Sequence, residues 1–357
     1  MKKYIFAALM TASLLLFDSS VFAAESEVTP ETQENILTVE EATKKAIDFS
    51  RTIKKNNENI DITDDGLSTT INQLNASSES ADIINLNVKL KEAYKNIATY
   101  TANNEIEKEK LELDIIEIFS DIIKAENELD LFEKDIAIKE KELKVTEVKA
   151  AIGKISRSEY DSTVLSYNNS LSELSDKKKA IEKAYTQLNK ILGIEDSEKY
   201  SLSLDISYEP LEDYDLDYEI SRAVSTNQNI KDIEKTMEIT KYQLDTYTSN
   251  TSKKQKEATY AQSTRELTDA KTDLKTSMTE QYNSVMSSEN SYSSKLKEIK
   301  QQEKELDILK VKFNIGSITE TELMKKEYDL QKSKYDIEYL IYEHYIQIRK
   351  LQNSNLL

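Results

Sequence analysis

Between Glu105 and Ala151 the apolar positions Ile115, Ile118, Phe119, Ile122, Leu129, Phe132, Ile136 and Leu143 recur mostly at helical spacing. That spacing predicts one face of a single long helix, running about 70 Å at 1.5 Å per residue. The stretch then enters VKAAIGKISRSE, Val148 to Glu159, and the same phrase returns as VKFNIGSITETE, Val311 to Glu322. In each copy a glycine, Gly153 or Gly316, stands where a left-handed residue would close the helix. Three residues later Ser156 or Thr319 can cap the next helix, and Glu159 or Glu322 follows by three to complete a capping box. The phrase predicts a tight reversal between two long antiparallel helices, made twice.

The two glycines lie 163 positions apart. At that offset Glu140-Lys141-Glu142-Leu143 falls on Glu303-Lys304-Glu305-Leu306, Phe119 on Tyr282 and Leu188 on Leu351. A second offset, 177, sets AIDFSRTIKK (Ala46 to Lys55) beside AVSTNQNIKD (Ala223 to Asp232). The chain is an internal duplication: a first repeat over 37–193, a linker over 194–216 and a second repeat over 217–353. In the linker, YSLSLDISY (Tyr200 to Tyr208) alternates apolar and polar, which predicts a short strand before Pro210. Around Asp64 to Ser80 the chain is polar and turn-prone and contains Gly66. Ile84, Leu86, Val88 and Leu90 alternate as a strand face, in competition with a helix that claims the residues from Lys89 onward. The fold class is all-α: long antiparallel hairpins in two repeats, with at most short strands. Helices this long and thin need neighbours for their apolar stripes, within the chain or across subunits.

Composition sharpens the picture by what it removes. Only four of 357 residues are glycine, about 1% against a usual share of roughly 7%. No two are close enough for a phosphate-cradling G-x-G-x-x-G or G-x-x-x-x-G-K loop. With Pro30 and Pro210 the only prolines, 67–152 and 211–315 contain neither helix-breaker, which favours long helices over sheets. The net charge of −18, from Lys+Arg 48 against Asp+Glu 66, argues against a nucleic-acid partner. The chain has no Cys, no Trp and one His. Disulfides, thiolate metal sites and Cys nucleophiles are therefore excluded. His344, inside the helical stretch YLIYEHYIQIRKL, reads as a packed helix residue rather than a ligand or base. The carboxylates are spread among lysines at helical spacing and read as solvated faces and i,i+4 pairs. No catalytic, cofactor-binding or metal-binding residues emerge, and the chain reads as no enzyme.

The first residues, MKKYIFAALMTASLLLFDSSVFAAES, carry a basic start, a fourteen-residue apolar run and a small-x-small site at Val21-Phe22-Ala23. This predicts a signal peptide over 1–24, with an uncleaved anchor as the alternative, followed by a flexible N-terminus over 25–36. The run is shorter than the roughly twenty residues that span a bilayer. The chain is expected to be exported to the cell envelope: outer membrane or periplasm where the host has them, otherwise the cell surface.

With LTVEEATKKAI (Leu37 to Ile47), the two glycine turns, QLNKILG (Gln187 to Gly193) and the duplication, the chain resembles the TolC family of outer membrane efflux proteins over about Leu37 to Asn353. The resemblance implies a homotrimer whose helices form a hollow tapering α-barrel. It would serve as a duct passing substrates from an inner-membrane pump through a periplasmic adaptor (membrane fusion) protein. It further implies that the adaptor meets the hairpin tips, here Ile152, Gly153, Lys154, Ile155 and Ser156 with Ile315, Gly316, Ser317, Ile318 and Thr319. Glu322 matches an acidic residue that helps narrow the pore; capping alone is the other reading of both Glu159 and Glu322.

One departure stands out. The family inserts membrane β-strands, two per repeat, between its helices. Here the first repeat offers at most Ile84 to Leu90, and the second holds the polar, helix-prone run Ser249 to Leu274. No aromatic girdle appears, and the chain ends in Leu-Leu. The resemblance supports the α-barrel more than the β-barrel, and leaves a second function open: an extracytoplasmic coiled-coil structural or interaction protein that has lost the pore.

Overall fold

The computed structural model describes residues 36–195, 200–246 and 250–357. The expected signal peptide and most of the segment after it lie outside the described residues. The elements run β1 (Ile36–Thr38), α1 (Val39–Phe49), α2 (Arg51–Ala76), α3 (Ser80–Ala151), α4 (Arg157–Leu192), β2 (Ser201–Ser203), α5 (Leu216–Thr226), α6 (Gln228–Asp245), α7 (Asn250–Asn314) and α8 (Glu320–Gln352). A single 3-10 turn, Ser354–Leu356, follows. β1 and β2 form a two-stranded parallel ladder with Leu37 opposite Leu202.

Caps at matching places cut the shorter helices. Thr38 opens α1 with a capping box to Glu41, and Asp215, its counterpart at offset 177, opens α5 by accepting from the Tyr218 N–H. Ser50 ends α1 and caps α2 through the Ile53 N–H; Asn227, again 177 residues on, does the same between α5 and α6 through the Ile230 N–H. A short polar side chain that bonds its own downstream backbone interrupts a helix without a glycine or a proline.

The long helices make a layer. α3 spans 72 residues, about 108 Å at helical rise, and has neighbours on both sides. Near one end it packs between α2 and α6; near the other, between α4 and α8. α7 packs beside α6 and then α8. The order across the layer is therefore α2, α3, α6, α7 at one end and α4, α3, α8, α7 at the other. Apolar cores sit between these neighbours, with β1 and α1 joining the first and α5 the second. Ile115, Phe119 and Ile122 of α3 meet Leu188 and Leu192 of α4 together with Leu37, Ala42 and Ala46. Leu274 and Met278 of α7 meet Ile220, Ala223 and Ile230. Ile299 and Leu306 of α7 meet Leu330 of α8.

The seam between α3 and α8 is polar instead. Arg349 grips Glu112 with both terminal guanidinium nitrogens, at 3.0 and 3.3 Å; Tyr335 donates to Asp130 at 2.8 Å; Lys325 pairs with Glu142 at 2.6 Å.

Two expectations are corrected. The turn-prone stretch after Asp64 is helix as far as Ala76. Leu67 is buried on that helix, and the Thr69 and Thr70 hydroxyls fold back onto the carbonyls of Asp65 and Gly66, so packing overrides weak propensity. The alternating run Ile84 to Leu90 is helix within α3, the competing possibility. Leu86 and Val88 are both buried although they point to opposite sides, because α3 is covered by α2 on one side and α6 on the other. A doubly covered helix mimics the period of a strand. The linker strand is real but only three residues long. Past it the chain crosses α7 and α8, where the Leu211 N–H donates to Glu289 and Tyr208 stacks on Tyr292. His344 is packed there, 1% exposed, with Nε2 3.3 Å from Glu289 and its ring against Tyr208.

Candidate functional site at the hairpin tips

Both reversals have the same backbone. At the end of α3 the Gly153 N–H donates to the Ala150 carbonyl at 3.0 Å and the Lys154 N–H to the Lys149 carbonyl at 2.8 Å. At the end of α7 the Gly316 N–H donates to Phe313 at 2.9 Å and the Ser317 N–H to Lys312 at 2.9 Å. This pair of bonds requires a left-handed residue just past the helix, and Gly153 and Gly316 supply it with φ of 70° and 73°. The Ser156 hydroxyl then accepts from the Glu159 N–H at 3.1 Å, and the Thr319 hydroxyl from the Glu322 N–H at 3.2 Å.

The caps differ in one respect. Glu322 completes its box, accepting from the Thr319 N–H at 2.8 Å and the Thr319 hydroxyl at 2.9 Å. The first of these bonds, then the second, holds its carboxyl below the usual range. Glu159 makes no such return bond, so the box expected at the first tip is only half formed. Nothing in the structure explains the difference.

The two tips lie at one end of the layer. Lys325 to Glu142 and Lys141 to Glu320 tie the start of α8 to the last turns of α3. Among the described residues no hydrogen bond or ion pair joins one turn to the other. Ile152 is 61% exposed and Ile315 74%; Gly153, Lys154, Ser156, Gly316, Ser317 and Thr319 are exposed, and Ile155 and Ile318 are half-buried. Cβ atoms added at the two glycines would meet nothing within 4 Å.

A larger surface leads into these turns. Val145 and Val148 on α3 and Ile152 just past its end are exposed, and Ile308 and Val311 on α7 with Ile315 just past its end occupy the same places, 163 residues on. Each set is spaced i, i+3, i+7, so each makes an apolar stripe ending at its tip. The expected site held only the turns. The stripes were visible as identical apolar spacing in both copies, but nothing local distinguishes an exposed stripe from a packed one. Among the described residues no group of three His, Cys, Asp or Glu side chains converges as a metal site.

No family model and no curated protein matches the chain. Solved structures do. VceC, an outer membrane protein of Vibrio cholerae, gives a TM-score of 0.63 over 89% of this chain and 96% of its own, at 10% identity. CusC, solved in connection with folding and transmembrane channel formation, gives 0.65 over 89% and 91%, also at 10% identity. The CmeC outer membrane channel of Campylobacter jejuni gives 0.59 over 89% and 85%, at 8% identity. At these identities the likeness is one of fold, and over nearly nine-tenths of the chain that fold is TolC-like.

Proposed function

We propose that this TolC-like chain is the duct of an envelope efflux or export system. Copies of it close into a ring, a homotrimer, around a channel that receives substrates from an inner-membrane pump through an adaptor protein. The adaptor docks at the tips, residues 152–156 and 315–319, and the stripes behind them widen that surface. The chain itself catalyses no reaction. It reaches the envelope through the signal peptide at 1–24.

The observation that carries this reading is the pair of turns with the same backbone, each ending an exposed apolar stripe, at one end of a helical layer with open edges. Exposed apolar patches of this kind mark partner surfaces. At the tip end α7 has α8 on one side only, and Ile308, Val311 and Ile315 face away from it. Glu322, exposed and ionised, places a charge where the family narrows its pore, in addition to capping α8.

The second reading, a coiled-coil spacer without a channel, draws on helices α2, α3, α6 and α7 standing where membrane strands are expected. End-on electron micrographs of the purified chain from Glu25 onward separate the two. A ring with a stain-filled centre is expected. Solid rods or single chains would favour the spacer.

A further inference from the structure

Where α3 packs on α6, away from the tips, one face of the seam opens into a groove of about 400 Å³. Lys91 and Lys95 of α3 and Lys231 and Lys235 of α6 line it, with the ring of Tyr94, 56% exposed, and the small Ala98 between them. No run of the sequence is basic. The four lysines meet only because two helices pair, through contacts that span 133 to 141 positions.

Those contacts also set the spacing. Lys91 Nζ stands 5.2 Å over the Tyr242 ring, Lys95 donates to Thr236 at 3.1 Å, and Thr99 donates to Asp232 at 2.6 Å. The helices therefore run antiparallel, with Lys235 beside Lys95 and Lys231 beside Thr99. Four residues of helix advance about 6 Å, so the ammonium-bearing positions form a row at three levels about 6 Å apart.

The carboxylates within reach are engaged. Asp232 also accepts from the Gln228 amide at 2.8 Å, and Glu238 accepts from Lys235 at 2.9 Å. Of the other acids on these turns, Glu234 is tied to Lys271 on α7 at 3.0 Å, and Glu92 lies about 100° around α3 from Lys91. Lysines at i,i+4 repel one another, and here two such pairs share one groove. In a chain of net charge −18, this is a local reversal of sign that an anion would relieve.

We propose that this groove binds a ligand bearing two or more phosphate groups in line. Ammonium groups hold phosphate oxygens as point charges, and a row of them suits several anionic groups better than one. The Tyr94 ring and Ala98 give the rest of the ligand an apolar wall. The groove is formed within one chain, so the inference does not rest on the ring of the proposed function.

The test titrates the chain from Glu25 onward, without detergent and at low salt, with inorganic tripolyphosphate in a calorimeter. Binding is expected, and Lys91→Gln with Lys231→Gln should weaken it at least about tenfold. Lys300→Gln with Lys304→Gln removes the same charge from exposed positions on the far half of α7. That pair should change binding less than about twofold, because distant surface charge is screened. Circular dichroism checks that both pairs keep their helices. No binding by the native chain, or equal weakening by both pairs, overturns the site. Flotation with phosphatidylcholine vesicles containing cardiolipin, whose headgroup carries two phosphates, identifies the source. Flotation that the first pair abolishes supports a lipid headgroup; tripolyphosphate binding without flotation supports a soluble ligand.

Discussion

Tyr335 and Asp130 are 205 residues apart, and their 2.8 Å hydrogen bond is one of the rungs that hold α8 to α3. Burial raises the Asp130 carboxyl, but hydrogen bonds from Lys134 and then Tyr335 outweigh it and leave the group below the usual carboxylate range. Burial first, then Asp130, pushes the Tyr335 phenol up to about 12. The signs are opposite. The contribution of Asp130 is complete above the ordinary carboxylate pKa and fades as pH falls through its lowered value. That of Tyr335 is complete below the ordinary phenol pKa and fades as pH rises through about 12. Tyr335→Phe should cost no more than about 0.5 kcal/mol near neutral pH after solvent screening. The difference from wild type, read from melting curves by circular dichroism, should shrink at both extremes of pH. A difference that stays constant across pH would contradict the pairing. No local pattern announces this contact. Periodicity tells which face of α8 is apolar, but a polar rung depends on what a helix two hundred residues away presents.

At the scale of the element, the hairpins were legible because their instructions are local. Gly153 with Ser156, and Gly316 with Thr319, encode stop and restart within four residues, and the backbone follows both. Helix pairing was less legible. The run Ile84 to Leu90 alternates like a strand because α3 is covered on two sides, information held by α2 and α6 rather than by the run itself. The 3-residue strands needed each other, across 162 intervening positions, to form at all. Because a Cβ at either tip glycine meets open space, Gly153→Val and Gly316→Val should cost only the backbone strain. That is about 1–2 kcal/mol each, more for a β-branched residue at positive φ. Helix content should hold while the melting temperature falls and adaptor docking is lost. Unchanged stability in both variants would mean that the left-handed turns are not what closes these helices.

For the molecule as a whole, the decisive property is that the layer does not close on itself. Its apolar cores lie between neighbouring elements of the layer, its α3–α8 seam is polar, and α7 carries an exposed apolar stripe near the tips. The duplication makes α3, flanked on both sides, the pattern for an α7 that has a neighbour on one side only within the chain. The measurement that tests this most directly is the solution mass of the chain from Glu25 onward, by light scattering without detergent. The account predicts a mass of about three chains, falling only when the edges are altered. A stable monomer with full helicity would contradict it, because the stripes and edges would then be satisfied within one chain.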